Sequence, residues 1–180
     1  MTEQAYGGLD LSASPRRRSA VALLEAEEIR TLSVRTDEEI VNALASSKLV
    51  AVDSPLTLPK GLGHRKVDRL LLRMGFRVLP ASWPSMRALH ERALRIASAL
   101  QGLGVNIIET HPTSALMSSG CGDVAELVAR LGLHLRSRPR TKDESDAVIA
   151  AIVALAYERG LSYIISAGDG RVAILTTFCR

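Results

Sequence analysis

Residues 6–34 read YGGLDLSASPRRRSAVALLEAEEIRTLSV. Three apolar runs follow one another here: residues 6–13, Ser19–Leu24 and Ile29–Val34. A Pro-Arg-rich break separates the first two, and the acidic stretch Glu25–Glu28 separates the second pair. Strands this close along a chain are expected to pair as an antiparallel meander. Asp10 sits inside the first run, and a strand-interior carboxylate is costly to bury without a partner.

Downstream, the pattern changes from strands in succession to strands separated by helices. Thr36-Asp37-Glu38-Glu39 has capping-box spacing and leads into Ile40, Val41 and Leu44 on one face of a short helix. Lys48–Val52 is a near-continuous apolar run, as a buried parallel strand is, and it stops at Asp53-Ser54-Pro55. After a Pro- and Gly-bearing loop over 54–65 come two helical stripes. Val67, Leu70, Leu71 and Met74 form the first; Met86, Leu89, Ala93, Ile96 and Leu100 form the second. Val105–Ile108 predicts another strand, ending at Glu109 before Thr110-His111-Pro112. Val124, Leu127, Val128 and Leu131 mark a further helix. Thr141-Lys142-Asp143-Glu144 repeats the capping pattern ahead of Asp146 and the wholly apolar Ala147–Tyr157. A helix apolar all round is buried on most sides. Ser162–Ser166 and Arg171–Thr177 predict a closing hairpin around Ala167-Gly168-Asp169-Gly170. The economical solution is an α/β fold with a mixed sheet.

Composition sets the outer bounds. The 180 residues are 47% hydrophobic and 23% charged, enough for a real core and a single domain of ordinary size. The longest apolar run falls well short of the roughly 18 residues of a membrane span. The opening MTEQAYGG lacks the basic and apolar stretches of a secretory signal, so a cytoplasmic protein is expected. Cys121 and Cys179 cannot form a disulfide framework and show no metal-ligand spacing; Cys121 reads as a packing residue. The net charge is +4, and 19 of the 23 bases are arginine. Guanidinium suits bidentate phosphate contacts, although arginine-rich coding gives the same composition. With two Phe, three Tyr and one Trp, the chain lacks aromatic platforms for stacking a run of bases, so a nucleic-acid partner would be held by its backbone.

The acids fall at informative places. Asp53 and Glu109 each close a buried strand at its C-terminal end, where open α/β sheets bind ligands. Asp143 and Asp146 are three apart on a helix, with Cβ atoms about 5–6 Å from one another. Converging carboxylates need a cation, and hard oxygen donors suit Mg²⁺ or Mn²⁺. Two such ions about 3.5–4 Å apart clamp the attacking and leaving oxygens of a phosphodiester. Each acid also has an ordinary reading: Asp53 as a loop residue, and Asp143 and Glu144 as first-turn acids favoured by the helix dipole. Among the bases, Arg136, Arg138 and Arg140 alternate ahead of Lys142 and form a candidate cationic strip for a phosphate backbone, or a solvated loop. Arg16–Arg18 sit in the first turn and would add to the strip. Arg65 is a candidate phosphate ligand or a partner for Asp68. His111 is a candidate for orienting an acid or shuttling a proton.

Read in order, GLDLSAS, VAVDSPLTLP, the nearby Arg65 and Asp68, IIETHPTSAL and DESDAVIAAIVALAYE resemble an uncharacterised family, catalogued as domain of unknown function 429. The likeness runs from about Gly7 to Leu175. Members are regarded as predicted nucleases of the RNase H fold. The resemblance implies an RNase H-like domain over 1–180, with a mixed five-stranded sheet flanked by helices. The first three strands would be antiparallel and the last two parallel to the first, with the C-terminal hairpin following. It also implies that Asp10, Asp53 and Asp146 bind the metals, with Asp143 as a fourth ligand, much as the Holliday-junction resolvase branch uses paired acids on its last helix. Glu109 matches the family's acid before His-Pro. RNase H itself carries a metal-binding Glu on the first helix, whereas Glu38 and Glu39 here have a capping explanation, which leaves Glu109 as the candidate for that role.

The expected function is a metal-dependent nuclease using Mg²⁺ or Mn²⁺ on DNA or RNA, with Asp10, Asp53, Glu109, Asp143 and Asp146 as its acids. Arg65, Arg136, Arg138, Arg140 and Lys142 would hold substrate phosphate. The alternative is a non-catalytic nucleic-acid or nucleotide-binding module on the same fold. A small-molecule phosphotransferase would need a glycine-bearing loop after the first strand, and DLSASPRRR has none. No membrane contact is expected. No segment marks a dimer face, although a junction-cutting enzyme would match its two-fold substrate as a homodimer.

Overall fold

The protein's structure is a computed structural model describing residues 4–180; residues 1–3, included in the domain expected from the sequence, lie outside the described residues. Three strands open the chain: β1 (Ala5–Asp10), β2 (Ser19–Glu25) and β3 (Glu28–Val34). Then follow α1 (Asp37–Leu44), β4 (Ser47–Asp53), α2 (Lys66–Arg73), α3 (Pro84–Gly102) and β5 (Asn106–Thr110). The remainder is α4 (Pro112–Ser119), α5 (Val124–Arg130), β6 (His134–Leu135), α6 (Lys142–Glu158), β7 (Ser162–Ala167) and β8 (Gly170–Leu175).

One mixed sheet runs β6-β3-β2-β1-β4-β5-β8-β7. Its centre is the expected arrangement: β1, β2 and β3 are antiparallel in succession, while β4 and β5 run parallel to β1. The sheet is wider than expected, with eight strands in place of five. The C-terminal hairpin does not stand apart from it. Thr110 of β5 pairs with Ala173 of β8, which attaches the hairpin as two further strands. At the other edge, the two-residue β6 pairs with β3.

Alternation along the strands sorts the core into two layers. Leu9, Val50 and Val52 pack with Ile40 and Leu44 of α1 and with Ala93, Ile96 and Leu100 of α3. Tyr6, Leu49 and Ala51 face the opposite side, against α6. The apolar α6, buried from Asp146 to Ala156, lies almost directly on β1. A Cβ on Gly8 would stand 2.0 Å from the Ala147 carbonyl oxygen and 2.3 Å from the Ala151 nitrogen. Glycine on the strand and alanines on the helix therefore set the approach of α6. Asp10, two residues after Gly8, points to the same side.

The termini of the helices explain themselves locally. Thr36 and Glu39 form the expected capping box on α1. At α6 only half of the box forms: Thr141 accepts from the Glu144 N–H, but the Glu144 carboxylate turns to the Arg140 N–H. Helix α2 is capped from a distance, since Asp169 in the β7–β8 turn accepts from the Lys66 and Val67 N–H groups. Helix α4, absent from the sequence reading, begins at Pro112, whose fixed φ suits a first helical position.

The cysteines are a correction. Cys121, read as a packing residue, is joined to Cys179 in a disulfide spanning 58 residues. Helix α4 packs against β8, and the chain after β8 returns to the end of α4, where the Phe178 and Cys179 N–H groups donate to the Ser119 carbonyl. Closing a loop of this length removes about 4 kcal/mol of unfolded-chain entropy in the simplest account. No helix among the described residues is long and apolar enough to cross a membrane.

Candidate metal centre

Asp10 and Asp53 end neighbouring parallel strands and are paired in register. Both lie on the α6 side of the sheet, in phase with Gly8 and Ala51. Asp146, in the second turn of α6, completes the group. Oxygens of all three carboxylates come within 4.8 Å of one another.

Such proximity is unfavourable for three negative charges. Burial, reinforced by Asp143 and Asp146, pushes the Asp10 carboxyl up to about 7. Burial and then the charge of Asp10 raise Asp53 well above the usual carboxylate range. Asp146 is also raised, by burial and Asp143, against the lowering effect of Lys142. The Lys142 ammonium donates to Asp146 from a side chain that is 72% exposed. Its own pKa is lowered by burial and raised, on balance, by the surrounding aspartates. Lys142, expected to hold substrate phosphate, is thus engaged with a carboxylate. The group fits a hard divalent cation: all donors are carboxylate oxygens, and among the described residues no buried cation neutralises them.

Asp143 is exposed on the first turn of α6, outside the three-carboxylate group but near enough to raise Asp10 and Asp146. It lines a surface recess with Asp10, Arg17 and Arg18. Arg136, Arg138 and Arg140 are exposed on the segment joining β6 to α6, without ion-pair partners among the described residues.

Two expected site residues form a different structure. Glu109 is part of β5, paired with Val52, whereas Thr110 is the residue paired with Asp53. Strand alternation therefore keeps Glu109 out of the three-carboxylate group. Both of its oxygens meet Arg65, at 2.5 and 2.9 Å, and one also accepts from the Leu56 N–H. Burial raises the Glu109 carboxyl, and Arg65 opposes that rise. Arg65 in turn is 2% exposed. Its guanidinium donates twice to Asp68, twice to Glu109 and once to Thr57. All five of its N–H groups are committed, so Arg65 is not a phosphate ligand; its pairing with Asp68 is the reading that stands.

A cavity of about 220 Å³ adjoins the carboxylates at the C-terminal ends of β1, β4 and β5. Its lining includes Asp10, Asp53, Glu109 and His111 together with the aliphatic Leu71, Val78, Leu79, Met86 and Leu89. His111 bonds to the Ser114 hydroxyl through Nδ1. Burial, and then the charge of Lys142, lower its pKa to about 4, so the ring is neutral at pH 7. Sequence reading missed Arg92, a buried arginine that holds Asp37, the Arg35 carbonyl and Ser12 together behind the β1–β2 turn. Its signal was a charge three residues after Leu89 and four before Ile96, on the apolar stripe itself.

A family profile described as a protein of unknown function, DUF429, matches residues 8–169. The chain belongs to the DUF429 family. No curated protein sequence matches this DUF429 chain. Solved structures similar to it include Thermus thermophilus RuvC, 14% identical with a TM-score of 0.53. Another is T. thermophilus RuvC in complex with Holliday junction substrate, 16% identical with a TM-score of 0.51. Each alignment covers 93% of this chain and 99% of the other. With the β3-β2-β1-β4-β5 centre of the sheet, this likeness establishes the RNase H-like fold.

Proposed function

We propose that this DUF429 protein, a single domain over residues 1–180, is a divalent-metal-dependent nuclease. The observation that carries the reading is the convergence of Asp10, Asp53 and Asp146 without a buried counter-charge among the described residues. Asp10, Asp53 and Asp146 would hold Mg²⁺ or Mn²⁺, with Asp143 at the rim as a further ligand. Bound there, a pair of such ions supplies an activated water and stabilises charge on the phosphate oxygens. The carboxylates fix the cations and must be ionised to do so. Neutral His111 is placed to accept or relay a proton through Nε2. Arg136, Arg138 and Arg140 offer exposed guanidinium groups to the nucleic-acid backbone, in keeping with the junction DNA held by one RuvC neighbour.

A cytoplasmic setting goes with this reading. The Cys121–Cys179 disulfide is the observation against it, because such bonds persist mainly in oxidising compartments. A free-thiol count on protein isolated under alkylating conditions decides the point: two thiols support the cytoplasm, none an oxidising compartment.

The nuclease reading is tested by incubating purified protein with single-stranded, duplex, hybrid and four-way-junction substrates in Mg²⁺, Mn²⁺ or EDTA. Metal-dependent cleavage that disappears in Asp146→Asn is the expected result. Tight binding with no turnover in any metal would replace the nuclease with a binding module.

A further inference from the structure

We infer that the cavity beside the carboxylates receives the base of an unpaired nucleotide whose phosphate lies at the metal centre. This rests on the nuclease reading and names its substrate class: nucleic acid with an unpaired nucleotide at the scissile position.

The cavity lining combines two chemistries. Asp10, Asp53, Arg65, Asp68 and Glu109 bring charge, whereas Leu71 of α2, Val78 and Leu79 of the α2–α3 connection, and Met86 and Leu89 of α3 are aliphatic. Phosphate chemistry needs only the carboxylates. Its volume, about 220 Å³, is below the range of about 300–1,000 Å³ for drug-sized ligands and fits one flat group. The polar end has an open position, since the His111 hydrogen bond uses Nδ1 and Nε2 has no partner among the described residues.

The connections that carry the aliphatic lining are fixed in place. The Gly63 N–H donates to the Ser82 hydroxyl at 2.7 Å, the Ser82 N–H to the Gly63 carbonyl, and His64 contacts the Val78 carbonyl. These bonds join the β4–α2 and α2–α3 connections. Leu79, which lines the cavity, is 56% exposed, and Leu62 and Trp83 on the same two connections are 89% and 49% exposed. Large apolar side chains kept open to solvent on the connections that build a cavity mark a surface built for an apolar group. A base joined to a phosphate on the carboxylates is a group of the right size and polarity. A paired base would first have to leave its stack, at a cost that an unpaired base avoids.

The test compares dTMP with 2-deoxyribose 5-phosphate, which has no base. Calorimetric titration is carried out in Mg²⁺, with fluorescence of Trp83, the single tryptophan, as the local reporter. The dTMP is expected to bind about tenfold more tightly, the scale of one base contact. Leu79→Asp should remove that advantage, bringing the affinities of dTMP and 2-deoxyribose 5-phosphate together. Leu79 is exposed enough for the substitution to spare the core, and Leu103→Asp, at the far end of α3, should change neither affinity. Equal affinities of the two ligands for the unaltered protein, or a preference surviving Leu79→Asp, would overturn the inference. A second arm measures cleavage of a duplex carrying one unpaired nucleotide against the fully paired duplex and against the same site made abasic. Faster cleavage only where an unpaired base is present supports the pocket. Metal-dependent cleavage indifferent to pairing and base overturns it while the nuclease reading survives. Preferential dTMP binding with no cleavage of any substrate keeps the pocket and overturns the nuclease reading.

Discussion

Two groups of carboxylates flank one cavity, and they are treated in opposite ways. Asp68 and Glu109 share Arg65, a guanidinium 2% exposed with every N–H hydrogen-bonded. Among the described residues, the one ion pair made by Asp10, Asp53 and Asp146 is that of Asp146 with the ammonium of Lys142, which reaches in from solvent on a flexible stem. The first group has a buried counter-charge and is complete in its hydrogen bonds without any ligand, with one guanidinium serving two carboxylates, and its role is to fix α2, the loop after β4 and β5 relative to one another. The second remains strained by its own charge until a cation arrives. Acidity alone does not distinguish them; the counter-charge provided by the fold does.

The largest expected effect comes from breaking the incomplete group. Asp53→Asn should abolish metal-dependent cleavage, a loss beyond the roughly 10–100-fold typical of changes outside the first ligand sphere. It should leave the metal-free protein as stable or more stable, because it removes a carboxylate that burial disfavours. Cleavage assays and thermal unfolding in EDTA check both halves. The same kind of change in the complete group should do the reverse. Arg65→Met leaves Glu109 and Asp68 buried without a partner, and a cost of about 3–5 kcal/mol is expected. Adding Glu109→Gln and Asp68→Asn should recover part of it. Denaturant unfolding of the single and triple variants measures this, and an unaltered midpoint for Arg65→Met would erase the contrast.

This contrast was only half visible in the sequence. Asp10, Asp53 and Asp146 were legible because each sits next to a strong apolar pattern: within strand β1, at the end of β4, and just ahead of the apolar block of α6. The sheet centre was legible for the same reason. Glu109 was misplaced because β5 was read as stopping at Ile108. Two more residues of strand make Thr110 the neighbour of Asp53 and place Glu109 beside Val52. The sequence leaves Arg65 between phosphate ligand and partner of Asp68, because only the Asp68 contact is local and Glu109 comes from a distant element. The apolar wall of the cavity was visible solely as helix stripes, since Leu71, Met86 and Leu89 follow the same spacing whether they face a core or an opening. The disulfide joins residues 58 apart, and its geometry depends on where β8 lies.

A smaller effect follows from titration. The folded metal-free protein holds a proton on Asp10 up to about pH 7, whereas an unfolded chain releases it near the ordinary aspartate value. Between those limits the native state binds more protons, so stability falls as pH rises through the window and levels off above about 7. Asp53 and Asp146 are raised too and act with the same sign. Thermal unfolding in EDTA from pH 5 to 8 should show the decline, and Asp10→Asn should flatten it. Saturating Mn²⁺ should reverse the trend, because the ion binds the ionised carboxylates and displaces their protons. Glu109 in the Arg65 group is raised by burial as well and adds with the same sign, but Arg65 opposes that rise, and Mn²⁺ should leave its share unchanged.

The finest discrimination lies in Lys142. Its ammonium and a bound cation would compete for the Asp146 carboxylate, so in the metal-free protein Lys142 acts as a tethered substitute for the ion. An ion pair this exposed contributes only about 0–1 kcal/mol, which corresponds to at most about a fivefold change in an equilibrium constant. Lys142→Ala should therefore tighten Mn²⁺ binding by a few-fold at pH 8, above the value of about 7 to which Asp10 is raised. Because Lys142 also lowers Asp10 and Asp53, its removal should move the midpoint of the metal-binding pH profile upward. Nucleic-acid KM should rise if the displaced ammonium meets phosphate once the metal is in place. Calorimetric Mn²⁺ titrations across pH measure the first two effects. Removing the cation from the Arg65 group destabilises the fold, whereas removing it from this group improves the site for metal. Weaker Mn²⁺ binding at pH 8 would instead make Lys142 part of a finished ion pair, and the two carboxylate groups would then be alike.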